Sequence, residues 1–302
     1  MRHFTLKQLH YFATVVETES IAEASRKLHI AQPSISIAIK NLEDTFGQKL
    51  LIRHHAQGVS LTPSGRSFYE KAWELLRLSH EFEQNTLAGS EKARGKVSIG
   101  SFASVAPLYI PKLIAGFKDV YPDIEIQLHD GEQHEVMVGL HRGQFDLAFL
   151  YDLDLDNSVR KDPLNAPHKP YALLPEGHPL ALKGGPVTLA ELSCEPMILL
   201  DVIPSRNYFL NIFTEKGLHP EVAYTSPSIE MVRCMVGQGQ GFSILVTRPS
   251  TNETYDGQKL AYVEILDEME SSTLIMAYLK TNEPTQPAQL FIDYCKDYNF
   301  SV

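Results

Sequence analysis

The feature that most constrains this chain is a short amphipathic segment bracketed by two backbone punctuators, Pro33 and Gly47. A proline in the first turn of a helix gives up an N–H that has no intrahelical partner, and a glycine past the last turn adopts the left-handed conformation that ends it. Between them Ile35, Ile39, Leu42 and Phe46 recur at helical spacing, which predicts one buried face. Two helical runs precede this one. Leu6, Leu9, Phe12, Ala13 and Val16 form the first; Ile21, Ala24 and Leu28 form the second, with Ser20 placed to cap its start. Only His29-Ile30-Ala31 connects the second run to the third. Three short helices with a tight turn before the last describe a helix-turn-helix, whose last helix enters the DNA major groove by its N-terminal end.

The side chains at that end suit the task. Gln32, Ser34 and Ser36 flank Pro33 and offer amide and hydroxyl groups to base edges or phosphates, while Lys40 reaches toward the DNA backbone. Ile37 either touches a thymine methyl or packs. Leu50-Leu51-Ile52-Arg53 and Val59-Ser60-Leu61 flank a polar turn containing Gly58 and predict a two-stranded wing, with Arg53 as a phosphate or minor-groove contact. His54 and His55 in that turn lack partner carboxylates or cysteines and read as a solvated turn; no metal or other cofactor is expected. The net charge of -10 seems to oppose nucleic acid, yet residues 1–66 carry eight Lys/Arg against five Asp/Glu, a surplus of +3 that leaves -13 to the remainder. Screening acts over about 8 Å in cells, so a mildly basic head on an acidic body still attracts phosphates locally.

Thr62-Pro63-Ser64 starts a long helix that beyond Gly65 has no further proline or glycine to about Leu87. Ala72, Leu75, Ser79, Phe82 and Thr86, with Phe68 one heptad before Leu75, form a short, imperfect coiled-coil seam; the alternative is packing of the helix on its own domain. A hinge is expected from Ala88-Gly89-Ser90 to Arg94-Gly95.

Beyond it, a strand at Val97–Gly100, a helix at Pro107–Tyr121, a strand at Ile124–Leu128, a helix at Val136–His141 and a strand at Phe145–Leu150 give βαβαβ, an α/β pattern implying a parallel sheet. A comparable unit begins near His168, and the chain returns through Ser272–Leu279 to a closing helix, which indicates two lobes joined by two crossing strands. Ligands of such sheets meet the carboxyl ends of the strands. Ser101 and Ser104 lie there just before a helix, and Ser205 with Arg206 opens another, so free N–H groups and positive dipole ends converge on a crevice suited to an anion. A small carboxylate with an apolar or aromatic part against Phe102, Tyr151 and Phe242 is the expected guest. The alternatives are plain helix caps and a surface ion pair for Arg206.

The run Ala22-Glu23-Ala24-Ser25, Leu28, Ala31-Gln32-Pro33-Ser34-Ile35-Ser36, Ile39, Leu42-Glu43, Phe46-Gly47, Leu50-Leu51, Arg53 and Leu61-Thr62-Pro63-Ser64-Gly65 resembles the signature of LysR-type transcription regulators. Ile21, Ser25 and Ile37 depart from the residues usual in that family. Val97–Gly100, Tyr121-Pro122, Phe145-Asp146-Leu147-Ala148 and His178-Pro179-Leu180 extend the resemblance to the effector domain of these regulators, which is similar to periplasmic binding proteins of type 2. The resemblance implies a winged helix-turn-helix over 1–62, a linker helix and hinge over 63–92, and an effector domain over 93–302. Lobe I is expected at about 93–165 and 267–302, lobe II at about 166–266. It also implies effector contacts from Ser104, Gln133, Pro204 and Ser205, and a homodimer, or homotetramer, on double-stranded operator DNA.

Other functions fit less well. GxxxxGK[ST], HExxH and GxSxG motifs are missing, and His134-Glu135 suits a binding loop or a cap better than zinc chemistry, so no enzyme is expected. A solute-binding protein would leave the first 92 residues without a use. Cys194, Cys234 and Cys295 lack close spacing, which makes a redox-sensing regulator the secondary reading. The N-terminus has no apolar leader pattern and no stretch approaches the roughly 18 apolar residues of a membrane span, so a cytoplasmic protein is expected.

Overall fold

The computed structural model describes residues 4–54, 58–87, 93–164, 168–281, 283–298 and 300. His55, the hinge segment 88–92 and the side chain of Thr86 lie outside the described residues. The chain forms two compact units, one running to Gly95 and including His141–Gln144, the other made of Lys96–Leu140 and the chain from Phe145 onward.

The first unit consists of α1 (Leu6–Thr18), α2 (Ile21–Leu28), α3 (Gln32–Phe46), β1 (Leu51–His54), β2 (Gly58–Leu61) and α4 (Pro63–Leu87). Thr5 caps α1 and Ser20 caps α2, each hydroxyl accepting a backbone N–H of the first turn. Phe12, Ile35, Ile39, Leu42 and Leu50 fill the core, and Phe68 of α4 packs edge-on against Phe12 and Phe46 at 5.4 and 4.9 Å. Residues Phe68, Tyr69 and Ala72 therefore belong to this core, so the early part of the expected seam faces its own domain. The wing hairpin is antiparallel, and Val59 N–H donates to the carbonyl of Glu19 at 2.8 Å. Gly58 permits this: its φ is +90°, and a Cβ there would lie 2.3 Å from that carbonyl.

One polar side chain crosses the core. Glu43, 7% exposed on the inner face of α3, accepts Leu50 N–H at 2.9 Å, Leu51 N–H at 3.4 Å and Lys49 Nζ at 2.8 Å. It fastens the recognition helix to the start of the wing.

The second unit begins with a five-stranded sheet of β3 (Gly95–Phe102), β4 (Ile124–Gly131), β5 (Leu147–Tyr151), β6 (Val159–Pro163) and, from the far end of the chain, β12 (Leu274–Leu279), in the order β4-β3-β5-β12-β6. Helices α5 (Ala106–Val120), α6 (Gln133–His141) and α11 (Gln286–Asp297) accompany it, and Phe117 of α5 meets Phe291 of α11 edge-on at 4.9 Å. The other lobe contains β7 (Tyr171–Pro175), α7 (Pro179–Leu182), α8 (Leu189–Leu192), β8 (Met197–Leu200), α9 (Ser205–Thr214), β9 (Val222–Ser226), α10 (Ile229–Gly237), β10 (Ser243–Leu245) and β11 (Leu260–Glu264). His168 and Ser272 pair where the two crossing segments meet, with N–H···O bonds of 2.8 and 3.1 Å.

The sheets are not uniformly parallel. β3 runs parallel to β5, and β8 to β9, but β12 is antiparallel to β5 and β6, and β7 is antiparallel to β10 and β11. The reason is the double crossing: a chain that enters a lobe by one strand and leaves by its neighbour must run the two in opposite directions.

Hydrogen bonds from Lys49, Leu50 and Leu51 outweigh the upward push of burial and hold the Glu43 carboxyl below its ordinary value of 4.5. A depressed carboxylate stabilises the fold above its unfolded pKa and loses that contribution as pH falls through the folded value. Glu43→Ala is expected to cost about 1–3 kcal/mol at pH 7, Glu43→Gln less because its amide oxygen still accepts Leu50 N–H. Urea titrations followed by Trp73, the single tryptophan, should show the Glu43→Ala deficit shrinking below pH 4.5; an equal deficit at acid pH would exclude the ionised bond network.

Candidate functional site

The outward face of α3 starts without a side-chain cap. Its N-cap is Ala31, so the first N–H groups of the helix keep no side-chain acceptor. Around that open end Gln32, Pro33, Ser34, Ile37 and Lys40 are exposed, Ser36 is half-buried, and Ile35, Ala38 and Ile39 point inward. Ile37 is 60% exposed, an apolar side chain that does not pack in the core. Asn41, one turn after Ile37, shares the exposed face and was not singled out from the sequence. In the wing Arg53 is exposed, and His54 Nε2 lies 2.7 Å from Ser60 Oγ, which ties it to the opposite strand.

Further along α4 the packing changes. Leu75, Leu78 and Phe82 are exposed, Phe82 by 71%, at spacings of three and four that form one stripe. Leu78 therefore joins the expected Leu75 and Phe82, whereas Phe68 and Ala72 are buried in the domain core.

In the second unit a small, partly open pocket lies between the lobes. Ser104 after β3, Tyr151 and Leu153 at β5, Leu200 at β8, and Leu245 with Thr247 at β10 stand at the carboxyl ends of their strands. Ser205, Tyr208 and Phe209 of α9, Ile229 of α10 and Ser272 of the crossing segment complete most of the wall. Tyr151 and Thr247 share a hydrogen bond between hydroxyls across the two lobes, and Tyr171 donates to the Thr247 carbonyl at 3.0 Å. Burial pushes the Tyr151 and Tyr208 phenols well above their ordinary range, so both stay neutral.

The sequence-based candidates separate by position. Ser104, Tyr151 and Ser205 line the cavity. Gln133 acts from behind it: its amide donates to the Leu153 carbonyl at 2.7 Å and accepts Tyr151 N–H at 3.2 Å, clamping the end of β5. Phe102 is buried and meets Tyr151 edge-on at 6.1 Å. Ser101 is buried with its hydroxyl donating to the Phe102 carbonyl at 3.3 Å, and Pro204 is buried just ahead of α9. Ser101, Phe102, Gln133 and Pro204 are thus not among the lining residues, and neither are Phe242 and Arg206. Phe242 packs against Phe213 in the lobe core, and Arg206 is exposed and paired with Asp201 at 3.0 Å. Tyr208, Thr247 and Ser272 are not among the residues singled out from the sequence; Thr247 lies two residues past β10, and Tyr208 lies one turn from Ser205.

Glu135 acts as a local cap, its carboxylate accepting Glu132 N–H at 3.4 Å. No group of residues suited to a metal occurs among the described residues. Burial raises the Cys295 thiol, and burial with Asp256 and Glu230 nearby raises Cys234, the opposite of the lowered pKa that activates a sensing thiol. No described helix is long and apolar enough to cross a membrane.

Two family models match the two parts of the chain, "Bacterial regulatory helix-turn-helix protein, lysR family" over residues 6–66 and "LysR substrate binding domain" over residues 90–299. The chain belongs to the LysR family. It is 30% identical to the uncharacterized HTH-type transcriptional regulator YvbU of Bacillus subtilis, over 97% of this chain and 98% of that protein. Among solved structures it resembles HinK, a LysR family transcriptional regulator from Pseudomonas aeruginosa, at 55% identity, 98% coverage of both chains and a TM-score of 0.65. A full-length OxyR variant from the same organism shares the fold, with a TM-score of 0.74 at 21% identity and 98% coverage of both chains. This LysR regulator is thus a DNA-binding transcription regulator with a helix-turn-helix and an effector-binding domain, in a family whose members oligomerise.

The exposed stripe on α4 yields a direct test. Phe82→Glu combined with Leu78→Glu is expected to lower the oligomeric state in analytical ultracentrifugation while the unfolding of the first unit stays within about 0.5 kcal/mol of wild type. An unchanged sedimentation coefficient would remove this stripe from the subunit contact.

Proposed function

We propose that this LysR regulator acts in the cytoplasm as a homodimer, assembling further to a tetramer, that binds an operator through paired α3 helices and is switched by a small anionic metabolite held between the lobes. The observation that carries the reading is the interlobe cavity at the strand ends, walled by hydroxyls from both lobes. A ligand bridging Ser104 on one side and Ser205 or Thr247 on the other binds the closed arrangement better than the open one, and that difference in affinity drives the switch. Closure then alters the spacing of the two DNA readers and the bend they impose on the operator.

On the DNA side, Gln32, Ser34, Ser36 and Ile37 face base edges, Pro33 starts the helix, and Lys40 and Arg53 meet phosphates. The +3 surplus of the first 66 residues is small, so tight binding depends on two copies. The redox alternative has weaker support, because the environments of Cys234 and Cys295 hold both thiols protonated.

Two measurements test this reading. Gln32→Ala is expected to cost about 1–3 kcal/mol at one operator base pair and relax specificity there, whereas Lys40→Ala weakens all sequences alike and lowers the salt slope by about one; equal losses on every sequence for Gln32→Ala would remove it from base reading. A thermal-shift screen of metabolites on the full chain should give hits that shift operator footprints and are lost in Ser104→Ala. A genuine effector whose affinity is unchanged by Ser104→Ala would take that residue out of the site.

A further inference from the structure

The wing is a two-stranded sheet, so each of its strands has an edge whose backbone groups find no partner within the hairpin. The last carbonyls of α1 likewise lack partners within their own helix. One group from each side meets: Val59 N–H of β2 donates to the Glu19 carbonyl at 2.8 Å. Glu19 ends α1 in the left-handed conformation, with φ 50°, which leaves its carbonyl outside the helical ladder. The turn around it is braced. Thr18 Oγ1 lies 2.9 Å from the Thr14 carbonyl and 3.0 Å from that of Ser20, and Ser20 caps α2.

The approach leaves no room for a side chain at 58. A Cβ on Gly58 would lie 2.3 Å from the Glu19 carbonyl oxygen, and that oxygen belongs to backbone held between two helices. The opposite strand is held from elsewhere. Glu43 of α3 accepts Leu50 N–H at 2.9 Å and Leu51 N–H at 3.4 Å, so β1 takes its place from the recognition helix and β2 from the α1–α2 turn. A hairpin fastened on both strands cannot swing against α3 without breaking one of these bonds. Arg53, exposed on β1, stands directly across the hairpin from Val59.

Given the reading of Arg53 as a phosphate contact, we infer that Glu19 and Gly58 are positioning residues for DNA binding. The Glu19 carbonyl, reached through the gap that Gly58 leaves, sets the wing so that Arg53 meets phosphate while α3 lies in the groove. Neither residue has to touch DNA. Relieving the clash of an alanine at 58 takes a shift of about 1 Å, from 2.3 Å to the 3.4 Å at which ordinary contact begins. A displacement of that size breaks a charge-assisted bond about 2.7–2.9 Å long.

The test is a double-mutant cycle on the full chain, with operator affinity followed against salt concentration at a temperature where Trp73 fluorescence reports each variant folded. Arg53→Ala is expected to weaken binding about tenfold and to lower the salt slope by about one per bound copy. Gly58→Ala should do the same although it removes no charge. The two together should be no weaker than either alone, because a misplaced Arg53 has nothing left to lose. Val59→Pro deletes the donor rather than pushing on the acceptor, a change that the edge of a sheet tolerates, and should match Gly58→Ala. Discrimination at the base pair read by Gln32 should stay as in wild type, since α3 has its own seat on Glu43.

A Gly58→Ala salt slope equal to that of wild type, or losses that add when Gly58→Ala and Arg53→Ala are combined, would mean that the contact only stabilises the domain, and the positioning role falls while Arg53 keeps its phosphate. If Arg53→Ala alone changes neither affinity nor slope, the phosphate contact and the positioning role fall together. Should both Gly58→Ala and Val59→Pro fail to fold, hydrogen exchange on the wild-type chain decides. The Val59 amide is expected to exchange at least about tenfold more slowly than an unpaired amide, and exchange at the unpaired rate overturns the anchor.

Discussion

Every helix begins with N–H groups that its own backbone cannot satisfy. In this chain side-chain acceptors for those groups are unevenly distributed. Hydroxyls of Thr5, Ser20, Thr188, Ser228 and Thr285 close the starts of α1, α2, α8, α10 and α11. The starts of α3, α5 and α9 have no such cap. α3 is the helix that presents Gln32 and Ser34 outward, and α5 and α9 open at the interlobe cavity. An uncapped helix start attracts anionic oxygen through backbone dipoles alone, without a cationic side chain.

An open helix start is useful only if it is held still. In the first unit Glu43 does this from inside, joining α3 to Leu50, Leu51 and Lys49 while Ile35, Ile39 and Leu42 pack beneath. The early turns of α4 close the same core through Phe68 and Ala72, and its later turns leave Leu75, Leu78 and Phe82 outside. One helix thus completes a domain and then offers an apolar stripe. In the second unit Gln133 holds the end of β5, so Tyr151 and Leu153 keep their places in the wall.

Some elements were illegible in the sequence for physical reasons. β6 reads Val159-Arg160-Lys161-Asp162-Pro163, too polar for an apolar run, because it lies at a sheet edge where side chains meet water and a proline is tolerated. β11 has only partial alternation and lies at the edge of its sheet beside β7. The antiparallel course of β12 and β7 depends on how the chain crosses between lobes, which no local pattern encodes. Phe242 is expected in the site as an aromatic contact and Arg206 as part of a helix start, yet Phe242 packs on Phe213 in the lobe core and Asp201 draws Arg206 to an ion pair.

What the sequence determined by itself is whatever depends on local spacing and residue chemistry: the three helices and wing of the DNA reader, the long α4, the two-lobed α/β plan, and Ser104, Tyr151 and Ser205 at strand ends and helix starts. Only the tertiary structure decided which side of α4 remains apolar and exposed, that Thr247 and Tyr208 reach the cavity, and that Ser272 stands in its wall without a partner. These depend on contacts between segments far apart in the chain, where the burial of one side chain is set by the position of another.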